Sequence, residues 1–207
     1  MALAVITRLS LRAAPPTALV RPRIPGAPRL WAMQHVEAKD LTLRPIRPSD
    51  APRIHEWAAN PKASVFQPWG PNTEADTAAF VDHALSAWET RPQSRWIWVA
   101  EDAHRFVTGL GELRIHSSHR AEISYAVDVA LWGRGIGSAI GELLVSRAFD
   151  TLGVERVEAT CDPRNGASAK ILRRIGMTYE GRLRHTHRLA EGWRDSEIFS
   201  ILRDERT

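Results

Sequence analysis

Apolar and polar positions change period along the chain, and each change marks an element. Leu41-Thr42-Leu43-Arg44-Pro45-Ile46 alternates, as a strand does when one face is buried. A helix follows to about Ala59, capped by Ser49 or Asp50, with Ile54 and Trp57 on its inner side. Pro61 to Asn72 reads as a loop. Thr73-Glu74-Ala75-Asp76 opens a second helix carrying Phe80, Val81, Ala84, Leu85 and Trp88. Three strand-like runs come next, at 95–100, 106–115 and 121–127. Ile136, Ile140, Leu143, Leu144 and Ala148 then restore helical spacing to about Leu152. A short strand at 155–160 precedes a helix capped by Asn165 and stopped by Gly176. Two last strands, at about 177–189 and 193–202, meet at Ala190-Glu191-Gly192. This order predicts a mixed α/β sheet.

Between the strand ending at Val127 and the long helix lies Trp132-Gly133-Arg134-Gly135-Ile136-Gly137-Ser138. Three glycines in five residues let the backbone turn sharply and let a ligand come close, because no Cβ intrudes. The first amides of the helix have no partner within it, and its dipole adds partial positive charge there. That combination is a phosphate cradle. Two familiar phosphate loops are excluded. A Walker loop ends in Gly-Lys-Ser/Thr, and Gly137-Ser138-Ala139 holds no lysine. A dinucleotide fingerprint started at Gly133 needs glycine at 138 and meets Ser138; started at Gly135 it meets Ile140.

The segment resembles the acyl-CoA loop of the GNAT acetyltransferase superfamily. The superfamily pattern Gln/Arg-x-x-Gly-x-Gly/Ala falls on Trp132-x-x-Gly135-x-Gly137, departing at Trp132. A tryptophan there is similar to the branch holding the ribosomal-protein alanine N-acetyltransferases. That branch is also resembled at Ala121-Glu122-Ile123-Ser124-Tyr125, Asp162-Pro163-Arg164-Asn165-Gly166-Ala167-Ser168, Gly176-Met177 and Glu180-Gly181. The likeness runs from roughly Leu41 to Asp204. It implies a single GNAT-like α/β domain over 37–207, with a mixed, mostly antiparallel sheet of about seven strands flanked by about four helices.

The resemblance implies acetyl-CoA as donor and a primary amine as acceptor, either a protein N-terminus or a small amine. Backbone amides of Arg134, Gly135, Ile136, Gly137 and Ser138 would then hold the pyrophosphate, with the Arg134 side chain adding charge. Main-chain groups of Tyr125, Ala126 and Val127 would pair with the pantetheine arm, and an N–H there would hold the oxyanion. Asn165 would cap its helix and bind the same arm. Many members protonate the leaving thiolate with a tyrosine seven residues after the asparagine, but that position is Leu172. Ser168 stands in the matching serine position of the branch and is the candidate acid, or else a serine bonded to the Asn165 cap. Glu112 and Glu122 are candidate bases, each also readable as a solvated strand residue. His116 and His119 titrate in a useful range, but their loop reads as solvent-facing. Phe66 and Trp69 read equally as lining of the acceptor cleft or as core; Trp57 and Trp88, at helical spacing, read as core. No cluster has metal-ligand spacing. The missing tyrosine and the open choice of base leave a second class, a non-catalytic acyl-CoA-binding module.

Charge changes the picture in one place. The formal +4 owes much to Arg8, Arg12, Arg21, Arg23 and Arg29, in a stretch with no Asp or Glu, and the rest is near neutral. Net charge therefore gives no reason to expect nucleic acid on the domain. Residues 1–36, rich in arginine and proline, are expected to be a disordered tail, of transit-peptide type or preceding a true start at Met33. No apolar run is long enough for a membrane helix. One cysteine, Cys161, excludes an internal disulfide and fits a reducing, cytoplasmic setting. A monomer or a homodimer is expected.

Overall fold

The computed structural model describes residues 38–189 and 191–206, so the expected tail at 1–36 lies outside the described residues. Seven strands form one sheet: β1 (Thr42–Pro45), β2 (Arg95–Glu101), β3 (Val107–Ser117), β4 (Arg120–Val127), β5 (Arg156–Cys161), β6 (Thr178–Leu189) and β7 (Gly192–Leu202). Their order across the sheet is β1-β2-β3-β4-β5-β7-β6. Among the described residues only the β4–β5 pair is parallel. A parallel pair needs a crossover, and the glycine turn and the helix after it provide one. Five helices flank the sheet: α1 (Ala51–Ala58), α2 (Pro61–Ser64), α3 (Glu74–Glu89), α4 (Ile136–Ser146) and α5 (Gly166–Arg174).

Two apolar layers follow from strand alternation. One face of the sheet buries Leu113, Ile123 and Tyr125 against Ile140 and Leu144 of α4 and Leu172 of α5. The other buries Ile97, Leu110 and Ala126 against Ile54 and Trp57 of α1 and Val81 and Ala84 of α3. Trp57 is thus core, and Trp88 packs at the edge of both layers while its indole donates to the Ile97 carbonyl at 3.0 Å. Helix α4 packs against β3 at its glycines. A Cβ at Gly111 would fall 3.1 Å from Ile140 and 3.2 Å from Leu144, so any larger residue there would push those side chains aside by a few tenths of an ångström.

Two local expectations are revised. Asp50 does precede α1, but its side chain makes no cap. Arg44 of β1 donates to both its oxygens, at 2.8 and 2.7 Å, and Arg47 N–H at 2.7 Å, so the carboxylate ties strand to helix instead. The expected loop at 61–72 contains the one-turn helix α2, because Pro61 starts it and the Asn60 side chain accepts from Lys62 N–H at 3.0 Å. Thr73 and Asp76 form a reciprocal capping box on α3.

Candidate active site

Strands β4 and β5 part company halfway along. They pair only where Arg120–Glu122 meet Arg156–Glu158. Beyond that point β4 runs on to Val127 held by β3, and β5 to Cys161 held by β7. A wedge opens between them. At its closed end Arg156 N–H donates to the His119 carbonyl, so odd-numbered residues of β4 face β5. At the other end Asp128 N–H donates to Thr108, so even-numbered ones face β3. Alternation then aims the backbone groups of Ile123, Tyr125 and Val127 into the wedge.

The glycine turn stands at the wedge mouth. Gly135 is the N-cap of α4 with φ +79°, in the left-handed region, and no side chain caps the helix. Gly133 has φ +82°, and a Cβ there would find no atom within 4 Å. The turn is therefore open at Gly133, while at Gly135 a Cβ would meet that of Ala38 at 3.5 Å. Ile136, Gly137 and Ser138 are buried, whereas Arg134 and Gly135 are exposed. Trp132, the departure from the superfamily pattern, donates its indole N–H to the Val127 carbonyl at 3.1 Å. It pins the turn to the end of the splayed strand.

On the α5 side of the wedge Asn165 and Ser168 are both buried. Asn165 Oδ1 accepts from Ser168 N–H at 3.1 Å, so the asparagine caps α5. The Ser168 hydroxyl lies 3.3 Å from that of Tyr125, across the wedge on β4. Burial raises the Tyr125 phenol well above its ordinary range, and the Ser168 contact offsets only part of that. Cys161, beside them, is pushed up to about 12 by burial, then by Glu197 and Asp162. Both groups stay protonated at neutral pH.

Residues 40–178 match the sequence profile of the acetyltransferase (GNAT) domain family. The chain belongs to the GNAT acetyltransferase family. This GNAT chain is 22% identical over 171 residues to the uncharacterized N-acetyltransferase YnaD of Bacillus subtilis, a span of 83% of this chain and 98% of the relative. It is 29% identical over 152 residues to spermidine N(1)-acetyltransferase of Escherichia coli, covering 72% of this chain and 78% of that one. Among solved structures, RimL, the ribosomal L7/L12 α-N-protein acetyltransferase in complex with coenzyme A, superposes with a TM-score of 0.69. That match covers 80% of this chain and 96% of the other at 20% identity, a likeness of fold.

The two carboxylates expected as bases stand back from the end of β4. Glu112 is buried on β3, and its oxygens accept from Arg95 Nε at 2.7 Å, Arg95 Nη2 at 3.1 Å and Arg114 Nη2 at 2.9 Å. It pairs with Ser124, three residues short of Val127, which is roughly 10 Å along a strand. Glu122 lies at the closed end of the wedge, five residues or roughly 17 Å from Val127, and contacts His116 Nε2 at 3.0 Å. His119 lies 3.3 Å from the Ser117 hydroxyl, in the exposed loop expected of it. Among the described residues no group of three His, Cys, Asp or Glu is placed to hold a metal ion.

Sequence reading passed over Arg194 of β7. It is 5% exposed, donates to the Phe66 carbonyl at 2.8 Å and to the Ser196 hydroxyl at 3.2 Å, and sits 4.0 Å from Asp162. Burial lowers its affinity for the proton relative to a free guanidinium. Asp162 is held by Arg164, whose Nη2 donates at 2.7 Å. Burial alone would raise that carboxyl, but the Arg164 N–H groups outweigh it and hold it below the usual range. Arg194 therefore straps the loop after α2, where Phe66 and Trp69 lie half-buried, to the end of β5.

Proposed function

We propose that this chain transfers acetyl from acetyl-CoA to a primary amine, by direct attack in a ternary complex. The observation that carries the reading is the wedge between β4 and β5, with an uncapped, glycine-started helix at its mouth. A diphosphate suits the amides of 135–138, where the helix dipole adds partial positive charge beside a turn open at Gly133. A pantetheine arm carries its own amides and fits beside Ile123–Val127 as an added strand. Its thioester then lies near Val127, where a main-chain N–H stabilises the oxyanion of the tetrahedral intermediate. Ser168, polarised by the Tyr125 hydroxyl, supplies a proton to the departing thiolate. Asn165 fixes the start of α5 and so the place of Ser168.

The E. coli relative is named for spermidine and RimL for a protein α-amine, so both acceptor types are in view. Local charge favours the α-amine. A polycation needs carboxylates that are not already neutralised. Here Glu112 pairs with Arg95 and Arg114, Asp128 with Arg53, and Asp162 with Arg164. Thiol release from acetyl-CoA, measured over a panel of peptide N-termini and polyamines, tests this. Turnover on peptides ahead of spermidine is expected. Donor binding without turnover on any amine would instead mark a non-catalytic acyl-CoA-binding module.

A further inference from the structure

One strand of the sheet is covered on neither face. β6 ends the strand order, so one of its edges has no neighbouring strand among the described residues. Nine of its twelve residues are exposed, in runs that include both sides of the alternation. What they expose is apolar as well as charged. Tyr179, Leu183 and, on β7, Trp193 are 42%, 43% and 55% exposed. Of the large apolar residues exposed among the described residues, only Val65 lies outside the β6–β7 hairpin. The charge has one sign. β6 carries Arg182, Arg184, His185, His187 and Arg188 against a single acid, Glu180, which Arg156 already holds. On β7, Glu197 stands 3.5 Å from Arg182, and Asp195 accepts from His185 N–H at 3.0 Å. Arg184 and Arg188 have no ion-pair partner among the described residues. The Arg188 guanidinium lies 5.4 Å from the centre of the Trp193 ring, and His185 stacks on that ring at 5.5 Å.

We infer that the outer edge of β6 is a docking surface for an extended, acidic polypeptide segment, which adds to the sheet as a further strand. This surface is independent of the acetyl-transfer reading. An open edge presents a row of unpaired N–H and C=O groups, and an extended peptide can complete that row. The side chains supply contact on both sides of the alternation. Tyr179 and Arg188 lie opposite Phe199 and Trp193, an even number of residues apart on β7 and so on one face. Leu183 lies opposite Ser196, on the other face. Exposed aromatic and arginine side chains are the types that carry binding energy at protein interfaces. Charge then selects the occupant. A second copy of β6 would set arginine against arginine, and like charges on neighbouring strands repel. The register irregularities at 179–181 and 183–187 oppose edge-to-edge joining of copies in the same way. A strand that brings carboxylates meets Arg184 and Arg188 with opposite charge. A nucleic acid is also anionic, but it has no peptide groups with which to extend the ladder.

The test uses the full chain and three fluorescently labelled probes of equal length. One is a peptide alternating Glu and Val, the second has Lys in place of Glu, and the third is an oligouridylate. Anisotropy at low salt is expected to show binding of the Glu–Val peptide alone, and amide deuterium exchange is expected to slow along β6. Replacing the valines of that peptide by proline keeps its charge, removes donors and is expected to abolish binding. Arg184→Glu and Arg188→Glu, both at exposed positions, are each expected to weaken binding about tenfold, with acetyl-CoA affinity unaltered. Arg184→Lys and Arg188→Lys are expected to retain most of it. Several results would overturn the assignment: no binding of the Glu–Val peptide, equal binding of its lysine or proline counterpart, oligouridylate bound as tightly, or slowed exchange confined to other strands.

Discussion

At position 112 a carboxylate 4% exposed lies between two guanidinium groups. The residue type suggests a base, whereas the partners make it a brace between β2 and β3. Glu112→Gln separates the possibilities. Leaving Arg95 and Arg114 without their charge partner is expected to cost about 3 kcal/mol. That is a loss of roughly 6–12 °C in melting temperature for a chain of this size. The kcat of the folded variant is expected to stay within a few-fold of wild type, and a collapse of kcat without loss of stability would contradict this. Gly135 offers a second test, read from two substitutions together. Alanine and aspartate share the strain of φ +79°, about 1–2 kcal/mol, but only aspartate sets a negative charge against a diphosphate. Acetyl-CoA is expected to bind the aspartate variant about tenfold or more weakly than the alanine variant; equal calorimetric affinities would argue against a diphosphate site.

The elements themselves were largely legible. All seven strands and four of the five helices stand where the change of period puts them, because buried faces repeat every two residues in a strand and every three to four in a helix. Helix α2 escaped because four residues are too few to show a period. The Asp50 cap failed because a side chain from another element, Arg44, competes for the same carboxylate. Caps whose partners lie within three residues held. Thr73→Ala is expected to cost about 1 kcal/mol, a fall of roughly 2–4 °C in melting temperature, with donor affinity unaltered. At the other edge of the sheet Glu180 of β6 accepts from Arg156 of β5 at 2.6 Å and Ser200 of β7 at 2.7 Å. These partners, Arg156 first, hold its carboxyl down to about 2, from an ordinary 4.5. Because the folded value is the lower one, the stability Glu180 lends is whole above pH 4.5 and fades as pH falls toward 2. Urea midpoints followed across that window are expected to drop less for Glu180→Gln than for wild type; parallel curves would contradict the linkage.

At the scale of the molecule, what sequence could not show is relation across distance. The glycine turn, Asn165 and Ser168 were visible as residues, because their neighbours in the chain define them. The wedge was not, since alternation says that a strand exists but not how far it stays paired with its neighbour. Nor was the strap from Arg194 to Phe66, which spans 128 positions, or the Tyr125–Ser168 contact, which spans 43. Those long-range relations turn a resemblance of motifs into a candidate site with two walls and a mouth. The most direct measurement is a crystal structure of the full chain with acetyl-CoA bound. The expected result has the diphosphate within hydrogen-bonding distance of the amides of 135–138 and the pantetheine arm lying between β4 and β5 along Ile123–Val127. A donor bound elsewhere, with those amides taken by the protein's own side chains, would contradict the account.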